Sequence, residues 1–307
     1  MSVLDPDLRR TWLFGPGADK SAHATMLASG ADALIVDLED FTPPDRRDEA
    51  RNALPGYVQA CRTTGRLTAV RINALETEGM IDLAAAMATR PDVIVYPMSE
   101  RAAQMHALDA AITHWEAALG VSRGTTEIVP VCETALGVVD VRAIVGGSQR
   151  IRCALLGSED LANSLCAERG ADAVELDHAR RRFILECRAI GVEPIDAPYT
   201  FSDVEGAVRE ARFSRRLGYR SKSLVRPEHA RPLNDSFTPQ AEELRRARAI
   251  VDGFDAARAR GEDRALVDGL WVEVPAYRNA SRLIERARRL GVDAARFGVA
   301  GGLCASR

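Results

Sequence analysis

No apolar run in the sequence approaches the ~20 residues that a membrane-spanning helix needs. The opening stretch MSVLDPDLRR also lacks the apolar core of a secretory signal, so a cytoplasmic protein without membrane association is expected. Charge of one sign is missing as well. Forty-one basic residues stand against 44 acidic ones, a net charge of −3, which leaves no broad basic footprint for nucleic acid. The six cysteines, Cys61, Cys132, Cys153, Cys166, Cys187 and Cys304, form no C-x-x-C pair and no short disulfide framework. Reduced, mostly buried thiols follow. Five histidines show neither H-E-x-x-H nor any other zinc spacing, so a metal, if used, must be held by oxygen ligands. LFGPG at 13–17 lacks both the dinucleotide-binding glycine pattern and the G-K-[ST] ending of a phosphate loop, which excludes a nucleotide triphosphate site of that kind.

What is present is an ordinary globular composition, 46% hydrophobic and 28% charged, enough apolar side chain to fill a sizeable core. Eight short apolar or β-branched runs recur, at 11–14, 33–37, 67–72, 93–96, 127–132, 153–156, 194–197 and 219–225. Each is followed by a stretch of helical periodicity. Near-continuous apolar strands suit a parallel sheet covered by helices, and eight βα units predict closure into a (β/α)8 TIM barrel over residues 1–232. An open, doubly wound sheet is the alternative. Beyond a Pro-containing segment at 226–239, the pattern predicts a helix over 240–260, a polar break at 261–263 and a final helix from about 275 to 290. These make a C-terminal helical appendage, 233–307, expected to pack on a neighbouring subunit, with the Gly- and Ala-rich 291–307 loosely held.

Chemistry in a barrel gathers where the strands end. ALIVDLED places Asp37, Glu39 and Asp40 there, VRIN places Arg71 and Asn73, VPVCET places Glu133, and LLGSED places Gly157, Ser158, Glu159 and Asp160. Glu39, Asp40 and Asp160 have a plain alternative as helix caps or first-turn acids. Glu133 does not, because an unpaired carboxylate on an apolar strand costs several kcal/mol, on the order of an ion's desolvation penalty. It needs a cation. Two carboxylates from adjacent strands, with water and substrate completing the shell, suit Mg2+, with Mn2+ able to substitute. Arg71 is either a salt-bridge partner of Asp37 or Glu39 or a bidentate receptor for a substrate carboxylate. Backbone N–H groups around Gly157, Ser158 and Glu159 could serve the same carboxylate or an enolate. Lys222, near the end of the eighth run, raises a Schiff-base aldolase as a further option.

The order LFGPG, ADALIVDLED, PP-x-R-R-x-x-AR, VRIN, VIVYP, VCETALGV, LLGSEDLA and LNDSFTP resembles the citrate lyase beta-subunit family, which includes malyl-CoA and citramalyl-CoA lyases. Nearly the whole chain takes part. The resemblance implies a magnesium-dependent barrel, homo-trimeric or homo-hexameric, that cleaves or condenses 3-hydroxy-acid thioesters and releases a small oxo-acid or acyl fragment. It also implies that Glu133 and Asp160 are the metal ligands and Arg71 the carboxylate-binding arginine; Asp37, Glu39 and Asp40, by their place at the end of the second strand, are expected to be catalytic.

Several positions depart from the family pattern. Met98 stands where a lysine is usual, and Val225, Arg226 and Pro227 replace I-H-P. Ala18 and Asp19, with Lys20 adjacent, fall where relatives carry basic coenzyme A contacts, so the resemblance does not by itself establish coenzyme A as carrier. The family's M-I-D, whose aspartate reaches a neighbouring active site, becomes Trp271, Val272 and Glu273, which implies Glu273 as a catalytic acid–base supplied in trans. A metal-dependent carbon–carbon lyase acting on a small oxo-acid or acyl-CoA substrate is the expected function. A thioester hydrolase on the same scaffold and a beta subunit needing an acyl-carrier partner are the alternatives.

Overall fold

The computed structural model describes residues 5–292, so the expectation for the last seventeen residues falls almost wholly outside the described ones, as does Cys304. Eight parallel strands close into a barrel in sequence order: β1 (Thr11–Pro16), β2 (Ala33–Asp37), β3 (Leu67–Arg71), β4 (Val93–Tyr96), β5 (Glu127–Cys132), β6 (Cys153–Leu156), β7 (Glu193–Asp196) and β8 (Ser221–Leu224). Closure is made by β1 on β8, with Thr11 opposite Lys222 and Leu13 opposite Leu224. The apolar runs predicted these strands to within about two residues at most ends, and the open-sheet alternative is excluded.

Alternation sorts each strand into two faces. Trp12, Phe14, Ile35, Ala69, Val95, Val129, Val131, Leu155 and Ile195 fill the barrel interior. Their neighbours Leu13, Leu34, Val36, Val70, Ile94 and Leu156 face outward into a second, larger core. That core is shared with the helices α1 (Lys20–Ala28), α2 (Arg47–Thr64), α3 (Met80–Ala88), α4 (Ala102–Ala118), α5 (Ala135–Val139), α6 (Val141–Gly146), α7 (Glu159–Ser164), α8 (Asp177–Ala189), α9 (Val204–Leu217) and α10 (Ala230–Phe237). α10 lies within the Pro-containing segment 226–239, for which no helix was expected. Its Pro232 falls in the first turn, where no N–H is needed.

At the N-terminal end of the barrel Arg9, fully buried, donates to both carboxylate oxygens of Glu127 at 2.7 and 2.9 Å. The charge there ties strands together and leaves the opposite end for chemistry. Among the described cysteines, Cys61, Cys132, Cys153 and Cys187 are buried and Cys166 is exposed, all as free thiols. None of the described helices is long and apolar enough to cross a membrane.

The chain divides between Phe237 and Thr238 into two compact units. The second unit contains α11 (Ala241–Ala259), a hairpin of β9 (Ala265–Val267) and β10 (Leu270–Val272), and α12 (Val274–Arg289). Both helices were expected, whereas the hairpin was not. Phe254, Ala257, Ala265 and Val272 form its small core, with the Phe254 and Tyr277 rings 4.9 Å apart. The Asp268–Gly269 turn has positive φ at both residues, +50° and +75°, the geometry that Asp-Gly favours in a two-residue hairpin.

Candidate active site

Arg71 ends β3 and organises the C-terminal mouth of the barrel. Its Nε donates to Asp37 Oδ1 at 2.9 Å and its Nη2 to Asp37 Oδ2, while Nη1 pairs with Glu39 Oε2 at 2.6 Å and lies 3.8 Å from Asp40 Oδ2. The guanidinium also sits over Phe14 and Phe41, 5.2 and 5.8 Å from the ring centroids. Asp37 is fully buried and accepts further bonds from the backbone N–H groups of Glu39 and Phe41, so it shapes the β2 loop and aims Arg71. The fork of Arg71 is committed to Asp37, the salt-bridge reading of this residue. Asn73 turns aside, donating to Leu38 O and to Asp82.

Next to this pair lies a cavity of about 190 Å³ lined by Phe14, Asp40, Phe41, Arg71, Glu133, Gly157, Ser158, Glu159 and Asp160, among others. That volume is below the ~300 Å³ at which drug-sized pockets begin, and suits a small acid. Glu133, just past β5, is buried; its Oε1 accepts from the Met98 N–H at 2.8 Å. Burial pushes its carboxyl up to about 8, with Asp160 and Glu39 adding to the rise against the Met98 N–H and Arg71. Glu39 is pushed up to about 7 by burial, with Asp40 and Asp37 opposing the pull of Arg71. Asp160, open to solvent at the start of α7, is raised by its partial burial and then by Asp40.

The imbalance has a direct reading. Asp37, Glu39, Asp40, Glu133 and Asp160 surround one guanidinium, and three of them resist ionisation. A bound divalent cation would remove that resistance. Among the described residues no cluster of three or more His, Cys, Asp or Glu has metal-ligating geometry. The carboxylates of Glu133 and Asp160, both at the cavity, suit an ion that takes one or two carboxylates and keeps the rest of its shell for water and substrate, which is the habit of magnesium.

Gly157 serves this arrangement in a way its sequence did not reveal. A Cβ built on it would lie 2.4 Å from Glu133 Cβ and 2.9 Å from Oε2, and its N–H donates to Cys132 O at 3.2 Å. Close approach of β6 to Glu133 is what the glycine permits. Gly157→Ala should displace the carboxylate, weaken metal binding on the order of tenfold or more and cost ~1–3 kcal/mol of stability by overpacking. Metal titration with thermal unfolding checks this, and unchanged affinity would show the contact to be soft.

Other expected residues are placed differently. The Glu159 carboxylate accepts from Arg169 at 3.0 Å and Thr200 at 2.9 Å, which ties the β6 and β7 loops together at the edge of the cavity that Glu159 lines. Asp19 caps α1 through the N–H groups of Ser21 and Ala22, and Ala18 O accepts from Arg46 at 2.7 Å. A larger cleft of about 610 Å³ between α1 and α2, lined by Lys20, His23 and Tyr57, lacks the carboxylate cluster. The aromatic wall of Phe14 and Phe41 and the Met98 N–H are site features that sequence reasoning missed. Phe14 was legible as the residue ending the first apolar run.

Lys222 points out of the barrel. It is fully buried, with Nζ 2.8 Å from Asp196 Oδ2 and 2.9 Å from Glu210 Oε2, and Arg180 bonds the same two acids. Burial opposes ionisation of Asp196, but Arg180 and Lys222 overcome it and hold the carboxyl well below its usual range. A Schiff base at Lys222 is excluded by this placement. Lys222→Met should destabilise the fold by ~3–5 kcal/mol, as removal of one partner of a buried pair does. Borohydride with an oxo-acid should leave the wild-type mass unchanged, and an adduct on Lys222 would contradict the placement.

Known proteins resemble this chain in sequence and in fold. The family described as HpcH/HpaI aldolase/citrate lyase matches residues 10–227. The citrate lyase subunit beta of Haemophilus influenzae is 30% identical, covering 92% of this chain and 97% of that protein. The L-malyl-CoA/beta-methylmalyl-CoA lyase of Cereibacter sphaeroides is also 30% identical, with 92% and 95% covered. Among solved structures, the protein CitE from Mycobacterium tuberculosis in complex with magnesium, acetoacetate and coenzyme A superposes with a TM-score of 0.73. The two are 27% identical, with 91% of this chain and 98% of that chain covered.

Proposed function

The chain belongs to the HpcH/HpaI aldolase/citrate lyase family, and from that premise we propose that it is a magnesium-dependent carbon–carbon lyase. It cleaves or forms a 3-hydroxy-acid thioester and releases a small oxo-acid or acyl fragment. The observation that carries this reading is the excess of reluctant carboxylates around Arg71, in a cavity sized for an oxo-acid. The magnesium and coenzyme A of the Mycobacterium tuberculosis protein support it.

In this reading Glu133 and Asp160 hold the metal, with manganese an acceptable substitute. A bound divalent ion stabilises negative charge on the oxo-acid oxygens as the carbon–carbon bond breaks or forms. Arg71 lines the cavity beside them and faces the substrate carboxylate, at the expense of its Glu39 contact, while Asp37 keeps the guanidinium in place. Glu39 and Asp40 lie within reach of that exchange. Both acids stand beside Arg71, 2.6 and 3.8 Å from its Nη1, where a proton can be taken up and returned. Phe14 and Phe41 keep water from the reacting end.

The proton at the enolate carbon falls to Glu273 of a neighbouring copy in a homo-trimer or homo-hexamer. Glu273 stands at the N-cap of α12, is exposed, and its side chain makes no capping bond to that helix. The test is product analysis. A set of 3-hydroxyacyl thioesters and free hydroxy acids, incubated with Mg2+, should release an oxo-acid, and a chelator should stop the release. Free thiol with the carbon skeleton intact would indicate a hydrolase, and turnover only after adding an acyl-carrier protein would indicate a subunit role.

A further inference from the structure

The N–H that reaches Glu133 comes from a backbone held in an unfavourable conformation. Met98 has φ +46°, the left-handed region, where a residue with a Cβ meets its own backbone. The residue is 43% exposed, so it does not belong to the packed core. The family pattern, with a lysine usual at this place, draws attention to the side chain, yet the contact with the site is made by the main chain.

What holds the loop is Gln104, in the first turn of α4. Its Nε2 donates to Met98 O at 3.1 Å, and its Oε1 accepts from the N–H groups of Glu100 and Arg101 at 2.8 and 2.9 Å. One amide thus ties three of the five residues between β4 and α4. The loop is also pinned to the end of β5. Ser99 N–H donates to Val131 O at 2.9 Å, and Thr134 Oγ1 donates to Glu100 Oε1 at 2.8 Å. Gly137 approaches so closely that a Cβ there would lie 2.5 Å from Ser99 O. These contacts fix where the loop sits, and Gln104 fixes which way Met98 turns.

We propose that Gln104 is a positioning residue for the metal site: through left-handed Met98 it keeps an N–H on Glu133 Oε1 and so orients the carboxylate with Oε2 toward the cation. The inference rests on the reading of Glu133 as a metal ligand. It makes an unusual demand on position 98, where glycine is acceptable and a β-branched residue is not, whatever the polarity of the side chain.

The experiment is a calorimetric Mn2+ titration of the wild type and of Glu133→Gln, Gln104→Ala, Met98→Val, Met98→Gly and the double variant Gln104→Ala/Met98→Gly. Metal-free thermal unfolding accompanies each. Gln104→Ala and Met98→Val should weaken Mn2+ about tenfold, the usual cost of losing a group that orients a ligand. Met98→Gly should bind as the wild type does, and it should restore most of the affinity lost in Gln104→Ala, because the strain that Gln104 opposes is gone. Wild-type affinity in Gln104→Ala and Met98→Val, or a Met98→Gly loss equal to that of Met98→Val, overturns the proposal. Unchanged affinity in Glu133→Gln would instead overturn the assignment of the ligand.

Discussion

Glu133→Gln is expected to lower turnover by about 10³-fold, the equivalent of several kcal/mol of lost charge stabilisation, while making the metal-free protein harder to unfold above pH 8. The two effects have one cause. The Glu133 carboxyl, ordinarily near 4.5, is pushed up to about 8 by burial. The folded state therefore holds the proton more tightly than the unfolded chain. That contribution to stability is complete below 4.5 and is lost as pH rises through about 8. Glutamine has no proton to lose and keeps an oxygen for the Met98 N–H, so the variant escapes the loss. Magnesium should raise the wild-type melting temperature at pH 8, because it binds only the folded site, and should leave Glu133→Gln unmoved. Thermal scans with and without metal decide the matter. An equal metal-induced rise in both proteins would remove Glu133 from the ligand set.

Glu273→Gln is expected to lose ~10²–10⁴ in rate, the range of a general acid–base, with metal affinity intact. Its place in the chain supports the idea. Ser, Thr, Asp and Asn are the usual helix caps, and the Glu273 carboxylate forms no bond to α12, so its helix makes little use of it. Beside it Leu266, Leu270 and Trp271 are each more than half exposed, an apolar surface that calls for a partner. Arg264 lies over the Trp271 ring at 4.2 Å and stiffens that hairpin. Mixing Glu273→Gln with Glu133→Gln under subunit exchange should restore part of the activity, since hybrid sites then hold both native residues. A mixture as inactive as its parents, or a fully active wild-type monomer, contradicts the shared site.

The strands were legible because the parallel barrel buries both of their faces, so apolar runs mark them directly. Glu133, Arg71 and Asp160 stood out for the same reason, as charges where such runs stop. The same pattern could not say which face Lys222 occupies. Two serines flank it, and only closure of the barrel shows Ser221 and Ser223 turned inward and Lys222 outward. The hairpin at Asp268–Gly269 was missed although its turn dipeptide was present, because its strands are only three residues long. The part played by Met98 was beyond reach, since it resides in a dihedral angle. Likewise the sequence could not show that the missing Cβ of Gly157, a residue of the cavity wall, makes room for Glu133.

The most direct test of a metal shared between Glu133, Asp160 and an oxo-acid is a Mn2+ titration of the wild type with and without pyruvate or glyoxylate. A single site per chain that tightens when the oxo-acid is present, with the oxo-acid tightening equally when Mn2+ is present, is the predicted result, because each ligand completes the other's site. Mn2+ binding that is indifferent to the oxo-acid, or absent at Glu133 and Asp160, would contradict it.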